Sequence, residues 1–337
     1  ICLEYAVVDP SVLGHEGRDN TVDESHSPAV SESGTVSSIT NDSLRAKLSQ
    51  LRISCRKDLR EFRAVRKLGK GNRLALGRTL SEKFGNLGSL RRQSRWLQFG
   101  INEYLPYQKD ELSEGELEQF VTMLGQALPP GQAIHHLNSI LAFDTNLPNH
   151  IRYLLRLELG ACYIYAKQPE EAQVVLHEAM ALRAGHKGQD ASDAIILNRL
   201  GTAKMLLQES ITARRYFTQA AHSAQKCGDQ ATLMRIEGNL GYLALHDAQP
   251  AVALGWFRRH KSHVLRTSRY QDYVSNLLSQ MICLVDTGKG FAAERRIRLA
   301  ISLSEMLADD LRLAYAYSNF GWLMTTRCNG TMAMSAF

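Results

Sequence analysis

The chain has 337 residues, 44% hydrophobic and 22% charged, which is enough for two domains or one long repeat array. Its six cysteines (Cys2, Cys55, Cys162, Cys227, Cys283, Cys328) form neither a C-x-x-C pair nor a tight Cys/His cluster. This argues against a disulfide framework or a zinc module and points to a reducing, cytoplasmic setting. No apolar run approaches the ~18 residues of a membrane span, and the net charge of +6 is the sum of three unlike parts.

Residues 1–43 hold one basic residue, Arg18, against eight acidic ones and are rich in Ser and Gly without helical or strand period. Such a segment cannot bury enough apolar surface to offset chain ordering, so a disordered acidic linker is expected. The apolar stretch Leu3 to Val8 is either a sticky end or the last strand of a preceding domain.

Residues 44–110 read as a basic helical connector, with sixteen basic residues against Asp58, Glu61 and Glu82 between 44 and 95. Asn41, Asp42 and Ser43 are cap residues. Leu44, Leu48, Leu51, Cys55, Leu59, Phe62 and Val65 follow at three- and four-residue steps, giving a helix with one apolar and one basic face. Gly69-Lys70-Gly71-Asn72 is expected to end it. Two further helices, about Leu74 to Phe84 and Leu90 to Leu105, flank Gly85-Asn86-Leu87-Gly88. The glycine-lysine pair lacks the G-x-x-x-x-G-K-[ST] context of a phosphate loop.

Over 111–150, Ser113 and Glu116 have capping-box spacing, and Glu114 to Leu128 and Gln132 to Phe143 make a helix pair around Pro129-Pro130-Gly131. Leu124-Gly125 is followed twelve residues on by Leu137 and sixteen on by Leu141, which describes a degenerate repeat or an amino-terminal cap.

From 151 to 337 a pattern recurs. Leu159-Gly160 leads to Tyr163, Ala172, Leu176 and Ala179; Leu200-Gly201 to Ala213, Phe217 and Ala220; Leu240-Gly241 to Ala253 and Phe257; Phe320-Gly321 to Ala333 and Phe337. In each, alanine lies twelve residues past the glycine and the large apolar residue sixteen past it. The glycine spacings of 41, 40 and 80 place a fifth unit near 281, where Ala293, Ile297 and Ala300 hold their slots but Met281 replaces glycine. Either Ser279 takes over the close contact, or the helices part to admit methionine. Glycine opposite alanine lets two helices approach closely while the large residue fills the gap, and turn residues such as Lys167-Gln168-Pro169 and Asp247-Ala248-Gln249-Pro250 separate them.

These residues resemble the tetratricopeptide repeat, whose first helix carries W-x-x-L-G-x-x-Y and whose second carries A-x-x-x-F-x-x-A. The Trp slot is unfilled (Arg156, Leu197, Glu237, Leu277, Tyr317), and the period exceeds the usual 34, as in the longer-helix variety of adaptor and signalling proteins. The resemblance implies an all-α superhelix, an α-α solenoid, behind the linker and basic segment, with a concave groove lined by first helices. It also places groove-facing side chains two, three and six residues before the glycine and one after it. Those positions hold Asn198, Arg199, Thr202, Arg235, Asn239, Tyr242, Asn319 and Trp322, with Ser275 and Ile282 from the irregular unit. Asn239 and Asn319 can pair with peptide N–H and C=O; Arg199 and Arg235 can hold a carboxylate.

No catalytic constellation, cofactor or metal site is expected. His260 and His263 lie three apart without a third ligand, His135 and His136 diverge, and Cys162 and Cys283 sit among apolar residues. Asn41-Asp42-Ser43 and Asn329-Gly330-Thr331 match the glycosylation sequon with no secretory signal. The start at Ile1 and the stop inside a repeat lead to the expectation of a piece of a longer regulatory protein. Two functions of different class follow: a scaffold that binds a protein or peptide in the groove, or contact of segment 45–95 with nucleic acid or another acidic surface.

Overall fold

The computed structural model describes residues 41–64, 69–86, 90–105, 112–143, 146–183, 190–267 and 269–326, together with Tyr107. The predicted linker up to residue 40, the Leu3–Val8 stretch, Ala333, Phe337 and the sequon at Asn329 lie outside the described residues. Among the described residues there are fourteen α-helices and no strand. Three open the chain: α1 (Asn41–Ala64), α2 (Lys70–Asn86) and α3 (Leu90–Ile101), which runs on into a 3-10 turn at Asn102–Tyr104. Antiparallel pairs follow: α4 (Glu114–Ala127) with α5 (Pro130–Phe143), and α6 (Asn149–Tyr165) with α7 (Pro169–Arg183). Next come α8 (Asp190–Leu206) with α9 (Ser210–Cys227), α10 (Gln230–His246) with α11 (Pro250–Arg266), α12 (Tyr270–Asp286) with α13 (Gly290–Leu307), and finally α14 (Asp310–Thr326). None of the described helices is long and apolar enough to cross a membrane.

The recurring glycines do what their spacing predicts. A Cβ built on Gly160 would lie 2.6 Å from Leu176, one on Gly201 2.7 Å from Phe217, and one on Gly241 2.6 Å from Phe257. Each glycine therefore faces the large residue sixteen positions on, in the second helix of its own pair. Ala172, Ala213 and Ala253 are fully buried in the same pairs, and Ala293 is fully buried in the pair that lacks the glycine. In the α12–α13 pair the helices admit methionine. Met281 and Ile297 are both buried completely in one core, with the smaller Ile297 standing where Phe217 and Phe257 face a glycine. Ser279 does not replace glycine; its hydroxyl donates to the Tyr242 hydroxyl on α10 at 3.0 Å.

In the four pairs from α6 to α13, the turn between the helices puts one residue in the left-handed region, seven positions past the glycine slot: Lys167, Gln208, Ala248 and Gly288, with φ of 60°, 61°, 54° and 72°. The sequence uses glycine there only once. Pro250 opens α11, Asp229 caps α10 by accepting from the Thr232 amide at 3.0 Å, and the Ser113–Glu116 capping box is formed.

The structure gives the basic segment bounds and neighbours that its sequence did not. α1 ends at Ala64, ahead of Gly69, and Lys70, Gly71 and Asn72 form the first turn of α2, which continues through Gly85 to Asn86. A glycine contact without the repeat's alanine pattern joins α2 to α3. A Cβ on Gly77 would stand 2.6 Å from the Trp96 carbonyl and 3.0 Å from the Gly100 Cα, so the two backbones nearly touch. The segment packs against two stretches of the array. Both α2 and α3 lie against α4, but α2 also reaches α12, and Leu48, Cys55, Leu80 and Phe84 join the core that runs from Tyr242 to Met324. Arg52 of α1 donates to the Met306 carbonyl at 2.8 Å. The apolar faces of α1 and α2 are thus spent on both ends of the array, while Arg56, Lys57, Arg60 and Arg78 stay exposed.

In the pair over 111–150, Gly125 faces the next pair instead of its own second helix. Its Cβ would meet Glu158 at 3.1 Å and Cys162 at 3.5 Å, both on α6, and Leu137 fills the alanine slot fully buried.

Candidate functional site

First helices are the inner layer. α10 buries twelve residues and α12 thirteen, against five on α11 and six on α13. A helix flanked on two sides by its neighbours and on a third by its partner has little surface left, so polar residues on it must find partners. They find them across the stack.

Two residues before each glycine slot stand Glu158, Arg199, Asn239, Ser279 and Asn319. Arg199 Nη2 pairs with Glu158 Oε1 at 3.2 Å, and its Nη1 donates to the Leu157 carbonyl, which ties α8 to α6. Asn239 Nδ2 donates to Asn198 Oδ1 at 3.0 Å and to Thr202 Oγ1 at 3.4 Å, which ties α10 to α8. The Ser279–Tyr242 bond joins α12 to α10. Arg312, paired with Asp309 at 2.6 Å, donates from Nε to Ser275 at 3.0 Å and joins α14 to α12. The result is a ladder of polar rungs, each reaching the helix 37 to 42 residues before it.

Four of the sequence-derived groove residues come together. Asn198, Arg199, Thr202 and Asn239 line one cleft with Ala161, Ile164 and Tyr165, on α6, α8 and α10. The cleft has room for about one ordered water between these side chains. The hydrogen bonds formed there engage Asn239 through Nδ2 and Asn198 through Oδ1, leaving the Asn239 carbonyl oxygen and the Asn198 amide nitrogen for a ligand.

The other groove residues lie elsewhere. Tyr242 is turned into the core, its ring edge-on to Phe257 at 5.3 Å, and burial pushes its phenol up to about 12. Trp322 and Ile282 pack on the core that α1 and α2 share. Asn319 donates to the Tyr315 carbonyl of its own helix at 2.8 Å and keeps a buried Oδ1 with no hydrogen-bond partner. Arg235 is half-buried on α10. The covering of the late repeats by α1 and α2 explains this split: the open stretch of the inner wall is the one over α6, α8 and α10.

Glu158 and Tyr165 belong to the cleft's setting and were not among the groove residues read from sequence. Glu158 carried the signal, since it occupies in the first unit the offset that Arg199 and Asn239 occupy in the next two. Tyr165 carried none.

The two histidines of α11 part ways. His260 is buried and takes Asn276 Nδ2 on its Nδ1 at 2.9 Å, whereas His263 Nδ1 lies 3.4 Å from Glu237 Oε2. Among the described residues, no group of three or more His, Cys, Asp or Glu could hold a metal. Burial pushes the thiols of Cys162 and Cys283 up to about 12, well away from nucleophile behaviour.

No family model and no curated protein matches the sequence. Solved structures do match the fold. A Rap conjugation gene regulator of the plasmid pLS20 in complex with the Phr* peptide superposes with TM-score 0.57 at 14% identity, over 87% of this chain and 82% of that one. Aspartyl phosphate phosphatase F from Bacillus subtilis gives 0.54 at 14%, over 90% and 94%. A Rap protein complexed with Competence and Sporulation Factor gives 0.54 at 13%, over 79% and 74%. The chain is a tetratricopeptide-like helical repeat protein, an all-α solenoid of the architecture these structures share.

Proposed function

We propose that the chain is a peptide-binding scaffold whose ligand, a short extended peptide, lies across the inner wall at α6, α8 and α10. The observation that carries this reading is the cleft itself. Adjacent rungs offer one free amide donor, Asn198 Nδ2, and one free acceptor, Asn239 Oδ1, beside the apolar wall of Ala161 and Ile164. An extended backbone presents C=O and N–H alternately and needs such a donor and acceptor to bind it. The Arg199–Glu158 pair fixes the rim and adds a cation that can share a ligand carboxylate. Two solved structures of this fold are peptide complexes, the pLS20 regulator with Phr* and NprR with its cognate peptide NprX. The reading is of binding without catalysis, in the cytoplasm.

A display library of short random peptides panned on the chain tests it. Selected peptides should bind the wild type, and Asn239→Ala should weaken them at least about tenfold, the effect of losing one buried hydrogen bond of about 1.4 kcal/mol. The circular-dichroism melt should stay within a few degrees. Equal binding by wild type and Asn239→Ala would remove this cleft as the site.

A further inference from the structure

The second helices, which form the outer wall, divide sharply by charge. α7 carries Glu170, Glu171 and Glu178 against Arg183 alone. α9 and α11 carry three and four Lys or Arg respectively and not one Asp or Glu, and α13 adds three arginines against two glutamates. The near-neutral total of the repeats hides this separation.

Placement on the helices matters more than the count. Arg215 and Arg295 both lie fourteen residues past their glycine slots at 201 and 281. Arg258 lies seventeen past Gly241, one helical turn further along the same outward face. All three are exposed and make no ion pair among the described residues, so they form a row of free cations across α9, α11 and α13. Arg259 stands beside the row, its guanidinium 5.0 Å over the Trp256 ring. Arg214 and Arg298 flank it but are paired with Asp247 and Glu294. Between α11 and α13 the crowding is felt at Lys261, whose ammonium is held below its usual range by burial and then by Arg296.

We infer that this outer ridge is a binding surface for the phosphate backbone of single-stranded nucleic acid. A protein partner would need an apolar centre ringed by mixed charges. The exposed large apolar residues of these helices, Ile211, Val252 and Phe291, stand in the first turns, Ile211 and Phe291 one turn before Arg215 and Arg295, but the charges around them on α9 and α11 are of one sign. A row of one sign, with no carboxylate on α9 or α11 to balance it, fits a polyanion. The ridge lies on the outside of a curved stack, where a stiff duplex touches along a short tangent and a flexible strand can follow the row.

The test uses the full chain and a fluorescein-labelled single-stranded oligonucleotide in anisotropy titrations across salt. Three phosphate contacts predict a log–log salt slope of about −2. The triple variant Arg215→Gln, Arg258→Gln, Arg295→Gln should lose at least about tenfold in affinity at low salt and most of that slope. The triple variant Arg56→Gln, Lys57→Gln, Arg60→Gln on α1 should bind as the wild type does, and both should keep the wild-type circular-dichroism melt. No binding at low salt would overturn the inference. So would binding that survives the ridge substitutions, loss of binding through the α1 substitutions instead, or displacement by polyglutamate of equal charge at the same concentration as by unlabelled strand.

Discussion

Replacing Gly241 by alanine and, separately, Gly255 by alanine sets one substitution in two environments of a single helix pair. At Gly241 the new methyl would lie 2.6, 2.8 and 2.9 Å from three atoms of the Phe257 ring. That ring is 1% exposed and edge-on to Tyr242, and the carbonyl of the same residue accepts from Asn276 at 2.8 Å. In an interior packed like a crystal, the ring or the helix must recede by roughly 0.8 Å to restore the 3.4 Å of ordinary contact. Overpacking of this kind costs about 1–3 kcal/mol, against a gain of about 1 kcal/mol from alanine's better helix propensity. The expected result is a net loss of up to about 2 kcal/mol. At Gly255, inside α11, nothing lies within 4 Å of the new methyl, so only the gain of about 1 kcal/mol remains.

Urea unfolding of both variants, followed by helical circular dichroism, should therefore show shifts of opposite sign. Repeat arrays need not unfold in one step, so hydrogen exchange of α10 and α11 should accompany the melt and locate the change in this pair. Adding Phe257→Leu should rescue Gly241→Ala, with a coupling of about 1 kcal/mol or more, and leave Gly255→Ala unaffected. If Gly241→Ala is as stabilising as Gly255→Ala, or the double variant is additive, the close-approach account of the repeat fails.

Met281→Gly restores the glycine of the other units yet should destabilise by about 3 kcal/mol or more, because the methionine is fully buried opposite the smaller Ile297 and its removal leaves a cavity. A neutral or stabilising result in urea unfolding would show that the α12–α13 pair closes up by itself. His260 should make the fold acid-sensitive. Its imidazole is held down to about 3, first by burial and then by Arg269 and His263, and its Nδ1 accepts from Asn276. The folded value lies below the ordinary 6.5, so the unfolded chain takes up the proton first. This contribution is therefore complete above the ordinary value and is lost as pH falls from there toward 3. His260→Gln should flatten stability against pH over that interval; an unchanged slope would assign the acid sensitivity to other groups.

The glycine, alanine and large apolar slots were legible because both members of each contact lie in one helix pair, sixteen residues apart, and repeat. Their spacing writes the geometry into the chain at short range. The same is true of the rungs at Asn198, Arg199, Thr202 and Asn239, where the offset from glycine sets which way a side chain leaves the helix. It failed at Tyr242, whose offset is shared by Thr202: an aromatic ring there gains more from the core beside Phe257 than from the groove, and its hydroxyl finds Ser279. It failed also at Gly77 and Gly100, where two backbones meet without the alanine signature that marks the repeats.

By itself, then, the sequence determined the helices, their pairing and the period of the stack, all of which follow from local propensity and from contacts within a pair. Only the tertiary structure decided which part of the inner wall stays open. The contact between Arg52 and Met306 spans 254 positions, and no periodicity records it. An apolar helix face states that it must be covered and leaves the partner to whatever surface the superhelix brings within reach.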